Sequence, residues 1–392
     1  MAPDEKPYRV YKGGRAKGKV PSAGAARKRT LRDRRRAGGQ AHFRGPGALR
    51  LRMPRRPRWR RLILLTLLGL VVLFVAWAIV SYFSFSDGVS EANKRLDPHA
   101  RAALAKQDGL LLSHASNILV LGTDNAPIAQ RAGDKHADSI MLVRSDPDHH
   151  RLAYLSIPRD MVVSIPGVGT AKINAAMQSG GPALAIRTVH DLVGLPINHV
   201  IVVNFADFED LIDALGGITI DVPDRILSDR FDCPYKTNTR CQQWQGWRFA
   251  KGRQHMDGRR ALIYSRVRVN RLDPRETDFT RQARQQAVTQ AVMSKFTSSG
   301  TLLKAPFDAG SWVKPIATDL STWQLMSLGW VKFRSSGSNV LHCRLGADLG
   351  PGGTGAPSED DALTISMFVG RSAPQLPTTT FGPGCARGHD LS

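Results

Sequence analysis

Six arginines fall between Ala261 and Val288: Arg266, Arg268, Arg271, Arg275, Arg281 and Arg284. Valine, isoleucine and alanine are threaded among them. The guanidinium fork suits phosphate and carboxylate oxygens. Read as a strand, ALIYSRVRV puts Leu262, Tyr264, Arg266 and Arg268 on one face and Ala261, Ile263, Ser265, Val267 and Val269 on the other. Two arginines side by side repel, so the pair calls for a bound anion or for matching carboxylates. The next stretch, TDFTRQARQQAVTQAVMSKF, reads as a helix. It carries Asp278, Arg281 and Gln285 on one polar stripe, with Ala283, Ala287, Val288, Ala291 and Val292 on an apolar side. Strand and helix would meet at a polar pocket. Arg271, Arg275 and Arg284 have no role in this reading.

Two more pieces point to anion chemistry. SIPRD puts Arg159 and Asp160 just past an apolar run, and ligand groups collect at the carboxyl ends of strands in α/β sheets. LGTD places Asp124 at a second strand end, and HADS places Asp138 at the start of the next strand. Two carboxylates without a cluster of His or Cys ligands suit a hard cation, Mg²⁺ or Mn²⁺. Arginines with such a cation are the equipment for holding a pyrophosphate and stabilising phosphoryl transfer. Other catalytic signatures are missing. There is no Walker sequence, HExxH or G-x-S-x-G elbow, and GVGTAK lacks the third glycine and the context of a dinucleotide site.

The elements around these residues alternate. NILVLGTD, SIMLVRSD and RLAYLSIPRD read as strands, the last two joined by the turn-like PDHH. GPALAIRTVHDLVGL reads as a helix, HVIVVNF as a strand, ADFEDLIDALGG as a helix ended by two glycines, and ITIDVP as a strand. That order predicts an α/β fold with a mainly parallel or mixed sheet. Residues 224–256 are a long polar excursion holding Cys233, Cys241, Trp244 and Trp247. LSTWQLMSLGWVKF is a further helix, and the chain from Pro351 is expected to pack loosely.

Charge is distributed unevenly. Residues 1–61 carry 21 Lys and Arg against three acids, while the rest is nearly balanced. Leu62–Phe83 is a run of 22 residues without a charge, long enough at ~1.5 Å per residue to cross the ~30 Å core of a bilayer. The basic tail before it marks the cytoplasmic side and is expected to be disordered. Nucleic acid is not expected as its partner, because no aromatic interleaving or folded reader accompanies it. All four cysteines follow the apolar run, consistent with an oxidising compartment outside the cytoplasm. The expected pairing is Cys233–Cys241, which closes one short polar loop, with Cys343–Cys385.

NILVLGTD, ADSIMLV, LSIPRDMVVSIPGVGTAKINAAMQSGG, LGGITIDVP and ALIYSRVRVNRLDPRETDFTRQARQQ resemble, in order and spacing, the LytR-CpsA-Psr family. The resemblance implies a three-layer α/β/α fold with a central mixed sheet, preceded by one transmembrane helix. It implies a membrane-anchored phosphotransferase that moves a glycopolymer from a polyprenyl-pyrophosphate carrier to peptidoglycan through a phosphodiester, the lipid lying in an apolar tunnel. Position by position, Asp124 and Asp138 correspond to metal-associated acids and Arg159, Arg266 and Arg268 to pyrophosphate-binding arginines. Asp278, Arg281 and Gln285 complete the phosphate site, with Lys172 and Asn174 beside it. Where the family often has Arg-Ser-Asp, this chain has His136-Ala137-Asp138, so either an arginine contact is lost or His136 takes its place in binding substrate, when protonated or by hydrogen bonding. The implied divisions are a basic tail (1–61), a membrane helix (62–83), a stalk (84–112), a catalytic domain (113–300), a C-terminal part packing on it (301–372) and a tail (373–392). Two rival readings remain. One is a membrane-anchored regulator with a nucleic-acid-binding tail, the other a polyprenyl-pyrophosphate phosphatase.

Overall fold

The computed structural model describes residues 58–123, 137–273, 278–335, 339–349, 355–377 and 382–388. By contacts the chain divides at Arg61/Leu62, and nearly all of the first unit lies outside the described residues. The chain opens with α1 (Arg58–Lys94) and α2 (Pro98–Ala102), then β1 (Ser116–Thr123), β2 (Ala137–Asp146) and β3 (Arg151–Ile157). A hairpin, β4 (Val162–Ile165) and β5 (Gly169–Lys172), leads to α3 (Ala175–Val193), β6 (His199–Asn204), α4 (Phe205–Ala214) and β7 (Ile218–Val222). Next come β8 (Ile226–Leu227), α5 (Asn238–Gln243), β9 (Arg248–Phe249) and β10 (Gly252–Met256). They are followed by α6 (Gly258–Arg266), α7 (Asp278–Phe296), α8 (Ser299–Asp308), β11 (Ala317–Thr318) and α9 (Thr322–Arg334). The last elements are β12 (Leu341–Arg344), β13 (Ala347–Leu349), β14 (Gly355–Pro357), α10 (Asp361–Val369) and β15 (Gly384–Arg387).

Seven strands form one sheet in the order β11-β6-β1-β2-β3-β12-β15. It is mixed: β1 pairs parallel with β6 and antiparallel with β2, and β3 pairs parallel with β12. Alternation along the strands divides the core into two faces. Leu119, Leu121, Leu142 and Leu155 pack against Ile186 and Val189 of α3 and Phe368 of α10. Ile118, Met141, Val143 and Tyr154 face Leu328 and Val331 of α9 and Met293 of α7. The result is the expected three-layer α/β/α arrangement.

Several segments differ from their sequence reading. ALIYSRVRV is not a strand: α6 starts at Gly258, where the Asp257 side chain accepts from the Arg260 amide. Ala261, Leu262, Ile263, Tyr264 and Ser265 are all buried, because α6 is walled in by α4, α7 and the β7–β10 pair. A short apolar run enclosed on every side carries no single period, so strand and helix fit it equally well. The end of the polar excursion forms β10, which pairs antiparallel with β7. The described residues of the C-terminal stretch do not pack loosely. Met367, Phe368 and Cys385 belong to the main core, and β15 is a strand of the large sheet. The two expected disulfides, Cys233–Cys241 and Cys343–Cys385, are both present.

α1 does not end with its apolar run but continues into the domain. Cβ atoms would not fit where Gly88 meets Gly310, since one on Gly88 would lie 2.3 Å from the Gly310 carbonyl oxygen. Asn93 Nδ2 donates to the Leu320 carbonyl at 3.0 Å, and Leu96 and Ala100 are buried in the main core. The segment read as a stalk is thus part of the packed body.

Candidate anion-binding site

β1, β3 and β6 all end on the same edge of the sheet, where antiparallel β2 begins. There the chain leaves regular pairing, and side chains project into a cavity of about 550 Å³. Asp138 is the second residue of β2, and Arg159 follows β3 by two residues. Pro158 sits between, its carbonyl accepting from the Met161 amide at 3.1 Å in a tight turn. An Arg159 guanidinium nitrogen donates to Asp138 Oδ1, and its Nε lies 3.3 Å from Asp160 Oδ2. The Asn174 amide donates to the Arg159 carbonyl at 3.2 Å, so Asn174 enters the cavity from the start of α3.

Arg266 comes from the last turn of α6 and Arg268 from the extended chain after the cap residue Val267, not from one strand face. Arg266 pairs with Asp232 and lies over the Phe205 ring, 4.5 Å from its centroid, with the Phe231 ring at 5.7 Å. Arg281 and Gln285 are one turn apart on α7, and Gln285 Oε1 accepts from Ser139 Oγ at 3.1 Å. Four arginines and two aspartates, Asp138 and Asp229, therefore line one cavity. The positive excess suits an anion of more than one charge.

The remaining wall is apolar. Val120 and Met141 pair across β1 and β2, about 7 Å along the strands from the polar end. Val203, Phe205, Phe208, Leu262 and Val288 complete it. The cavity thus joins a charged region at the strand ends to an apolar one along the face of the sheet.

Of the other expected residues, Lys172 does not line the cavity but donates to Asp160 Oδ1 at 2.9 Å. Asp124 and His136 lie outside the described residues, as does the side chain of Asp278, the first residue of α7. Among the described residues no three His, Cys, Asp or Glu side chains converge. Magnesium keeps several waters and phosphate oxygens and needs only one or two carboxylates. Asp138, on the cavity wall, fits that donor set.

Asp160 holds the arginine side of the site together. Burial pushes its carboxyl upward, but the Lys172 hydrogen bond and the charges of Arg159, Lys172 and Arg281 outweigh this and hold it below its ordinary 3.8. A depressed folded value stabilises the protein above the unfolded value, and this contribution is lost as pH falls through the folded one. Asp160→Asn should cost about 1 kcal/mol near neutral pH, a figure reduced for partial exposure. In thermal melts the gap from the native chain should close below pH 3.8. A gap that stays constant at lower pH would remove Asp160 from this role.

The sequence reading missed several site residues. Arg284 has no role in it, yet the side chain is buried and donates to the Val267 carbonyl at 2.9 Å, between the two expected arginines. Burial pulls its guanidinium down to about 10, against the partial support of Tyr264. Asn204 ends β6 and caps α4, accepting from the Asp207 amide at 2.9 Å, a start signal visible in the sequence as an Asn closing a strand run. Phe231 and Asp232 lie in the polar excursion, where no local pattern marks them.

Fold and cavity together define an α/β protein with an anion-binding edge and an apolar annex. The profile of the LytR_cpsA_psr family matches residues 79–343, more than half of the chain, and the chain belongs to this family. The polyisoprenyl-teichoic acid–peptidoglycan teichoic acid transferase TagU of Bacillus cereus is 33% identical over 258 residues, 63% of this chain and 77% of the relative. The TagU of Bacillus mycoides is 31% identical over 275 residues, 69% and 83% respectively. Among solved structures, B. subtilis TagV aligns with a TM-score of 0.51 at 27% identity, over 66% of this chain and 98% of that one. TagT bound to LIIa-WTA aligns with a TM-score of 0.50 at 26% identity, over 67% and 94%.

Proposed function

We propose that this protein is a membrane-anchored transferase that moves a glycopolymer from a polyprenyl-pyrophosphate carrier to peptidoglycan through a phosphodiester bond. The carrying observation is the cavity itself. Its four arginines suit a pyrophosphate, and its apolar annex along Val120, Met141 and Val203 suits the prenyl chain attached to it. The TagU relatives are named as transferases of teichoic acid to peptidoglycan, in keeping with this reading.

Arg159, Arg266, Arg268 and Arg281 hold the pyrophosphate oxygens, and Gln285, fixed by Ser139, orients them. Asn174 binds beside Arg159, with Lys172 acting through Asp160. Asp278 and His136 complete the substrate site. A hydroxyl of the acceptor sugar attacks the phosphorus that bears the polymer. Its new P–O bond forms as the bridging P–O bond breaks, and polyprenyl phosphate departs with the bonding electrons. The hydroxyl proton goes to solvent. The arginines stabilise the charge that builds on the bridging and equatorial oxygens. Mg²⁺ or Mn²⁺, held by Asp138 and Asp124, would add charge neutralisation at the same oxygens.

α1 is long and apolar enough to cross a membrane. With the basic tail cytoplasmic, the disulfide-bonded domain lies outside. The test is to incubate the purified full chain with a defined polyprenyl-pyrophosphate glycopolymer and peptidoglycan, and to identify products by mass. A phosphodiester between polymer and peptidoglycan is expected. Release of polymer phosphate to water alone, with no linked product, would replace the transferase by a phosphatase.

A further inference from the structure

Helix α8 presents apolar side chains in two directions. Thr301, Ala305 and Ala309, four residues apart, are buried against the domain. On the outside, Leu303 is 73% exposed, Phe307 86% and Leu302 46%. A ten-residue helix holding two leucines and a phenylalanine outward forms an apolar patch of the kind that marks an interaction surface.

The position of α8 along α1 identifies what covers the patch. Trp77 Nε1 of α1 donates to the Leu303 carbonyl at 3.5 Å, and the Gly310 amide donates to Ser84 Oγ at 3.3 Å. Seven residues separate the two contacts on each chain segment, so α8 and its exit advance alongside α1 in the same direction. Trp77 lies six residues inside the end of the apolar run Leu62–Phe83, about 9 Å along the helix. Leu303 is therefore level with the last turns of the membrane-crossing segment, and Gly310 with the first residue beyond it. The apolar surface of Val80 and Phe83, exposed on α1, is at the same level as that of Leu303 and Phe307.

We infer that α8 is a membrane-contact element, its Leu302, Leu303 and Phe307 face sitting in the interfacial layer of the bilayer that α1 crosses. Lys304, exposed on the same helix, reaches back toward the phosphate headgroups. The inference rests on the reading of α1 as a membrane anchor. It also gives the cavity a route to lipid. α7 carries Arg281 and Gln285 in its first half, while its Val292 and Phe296 pack in the cluster that holds Ala305, Trp77 and Phe85. The cavity wall thus leads to the helix that touches the membrane.

Single cysteines at Leu303, Phe307, Val72 of α1 and the exposed Leu376 beside β15, each carrying a nitroxide, test this in the full chain reconstituted into phosphatidylcholine–phosphatidylglycerol vesicles. The four native cysteines are all in disulfides and do not compete for label. Power saturation with oxygen and with a water-soluble nickel chelate reads the surroundings. Positions 303 and 307 should favour oxygen, as position 72 does, and position 376 should favour nickel, a reversal in the sign of the accessibility ratio. Nickel access at 303 and 307 with oxygen access at 72 would overturn the inference and leave the anchor standing. Shielding of 303 and 307 from both reagents would place a protein neighbour there and overturn it too. Nickel access at 72 would remove the anchor and the inference with it.

Discussion

Arg266→Ala is expected to lower transfer from a polyprenyl-pyrophosphate donor by about 10²–10³-fold while the fold survives. Arg266 suits this test better than its neighbours. Arg281 is only 3% exposed, so its removal leaves a buried gap that perturbs packing as well as binding. Arg268 is exposed, and solvent screens its contribution. Arg266 lies between these extremes, aimed by Asp232 and by the face of Phe205. Its loss leaves Asp232 partly solvated rather than stranded, because that carboxylate is 39% exposed. Arg266→Lys keeps the charge but not the fork and should fall between the two. Rates are followed by the mass of linked product and folding by thermal melts. A wild-type rate in a well-folded Arg266→Ala protein would take Arg266 out of the phosphate site.

The second large effect concerns stability. Cys343 and Cys385 face one another across β12 and β15 and close a loop with a sequence separation of 42. Replacing both by serine should cost about 4 kcal/mol by loop-closure entropy, a fall in Tm on the order of 10 °C. The Cys233–Cys241 bridge, with a separation of 8, should cost about 2.5 kcal/mol when removed in the same way. The difference has a further source in packing. Gln286 of α7 donates to the Cys343 carbonyl at 3.0 Å and to Ser156 Oγ at 2.7 Å, and His342 Nδ1 lies 2.7 Å from Gln286 Oε1. Loosening β12 therefore also loosens α7, next to Gln285. Denaturant midpoints of the two double variants decide the matter, and equal losses would contradict the ordering.

Much of the frame could be read in the residues alone. β1, β2, β3 and β6 are apolar runs that end in Gly, Asp, Asn or Pro, and both signals are local. The site was legible where its residues sit at such ends, as with Asp138 and Arg159. It was less legible at α6, whose residues 261–265 are enclosed on all sides and so lack the periodicity that separates helix from strand. Arg266 and Arg268 line the cavity on either reading, because both bring them to the start of α7. Asp232 and Phe231 could not be found this way. Asp232 lies 34 residues before Arg266, in an excursion with no repeating pattern, and only the folded chain brings it and Phe231 there. Arg284 has no role in a reading by charge and spacing, while in the folded chain it is buried and donates to the Val267 carbonyl.

The unbroken run of α1 from Arg58 to Lys94, with its far end fixed at Gly310 and Leu320, has a kinetic consequence. With α1 read as the proposed membrane anchor, a domain without slack behind it cannot drift away from the bilayer, and its cavity moves at a set height, in two dimensions, together with the lipids. Meetings with a lipid-borne donor are then set by molecules per unit area and by lateral diffusion, not by concentration in the surrounding fluid. The acceptor strand of the wall, which does not share that plane, must come within reach of a site that cannot rise to meet it.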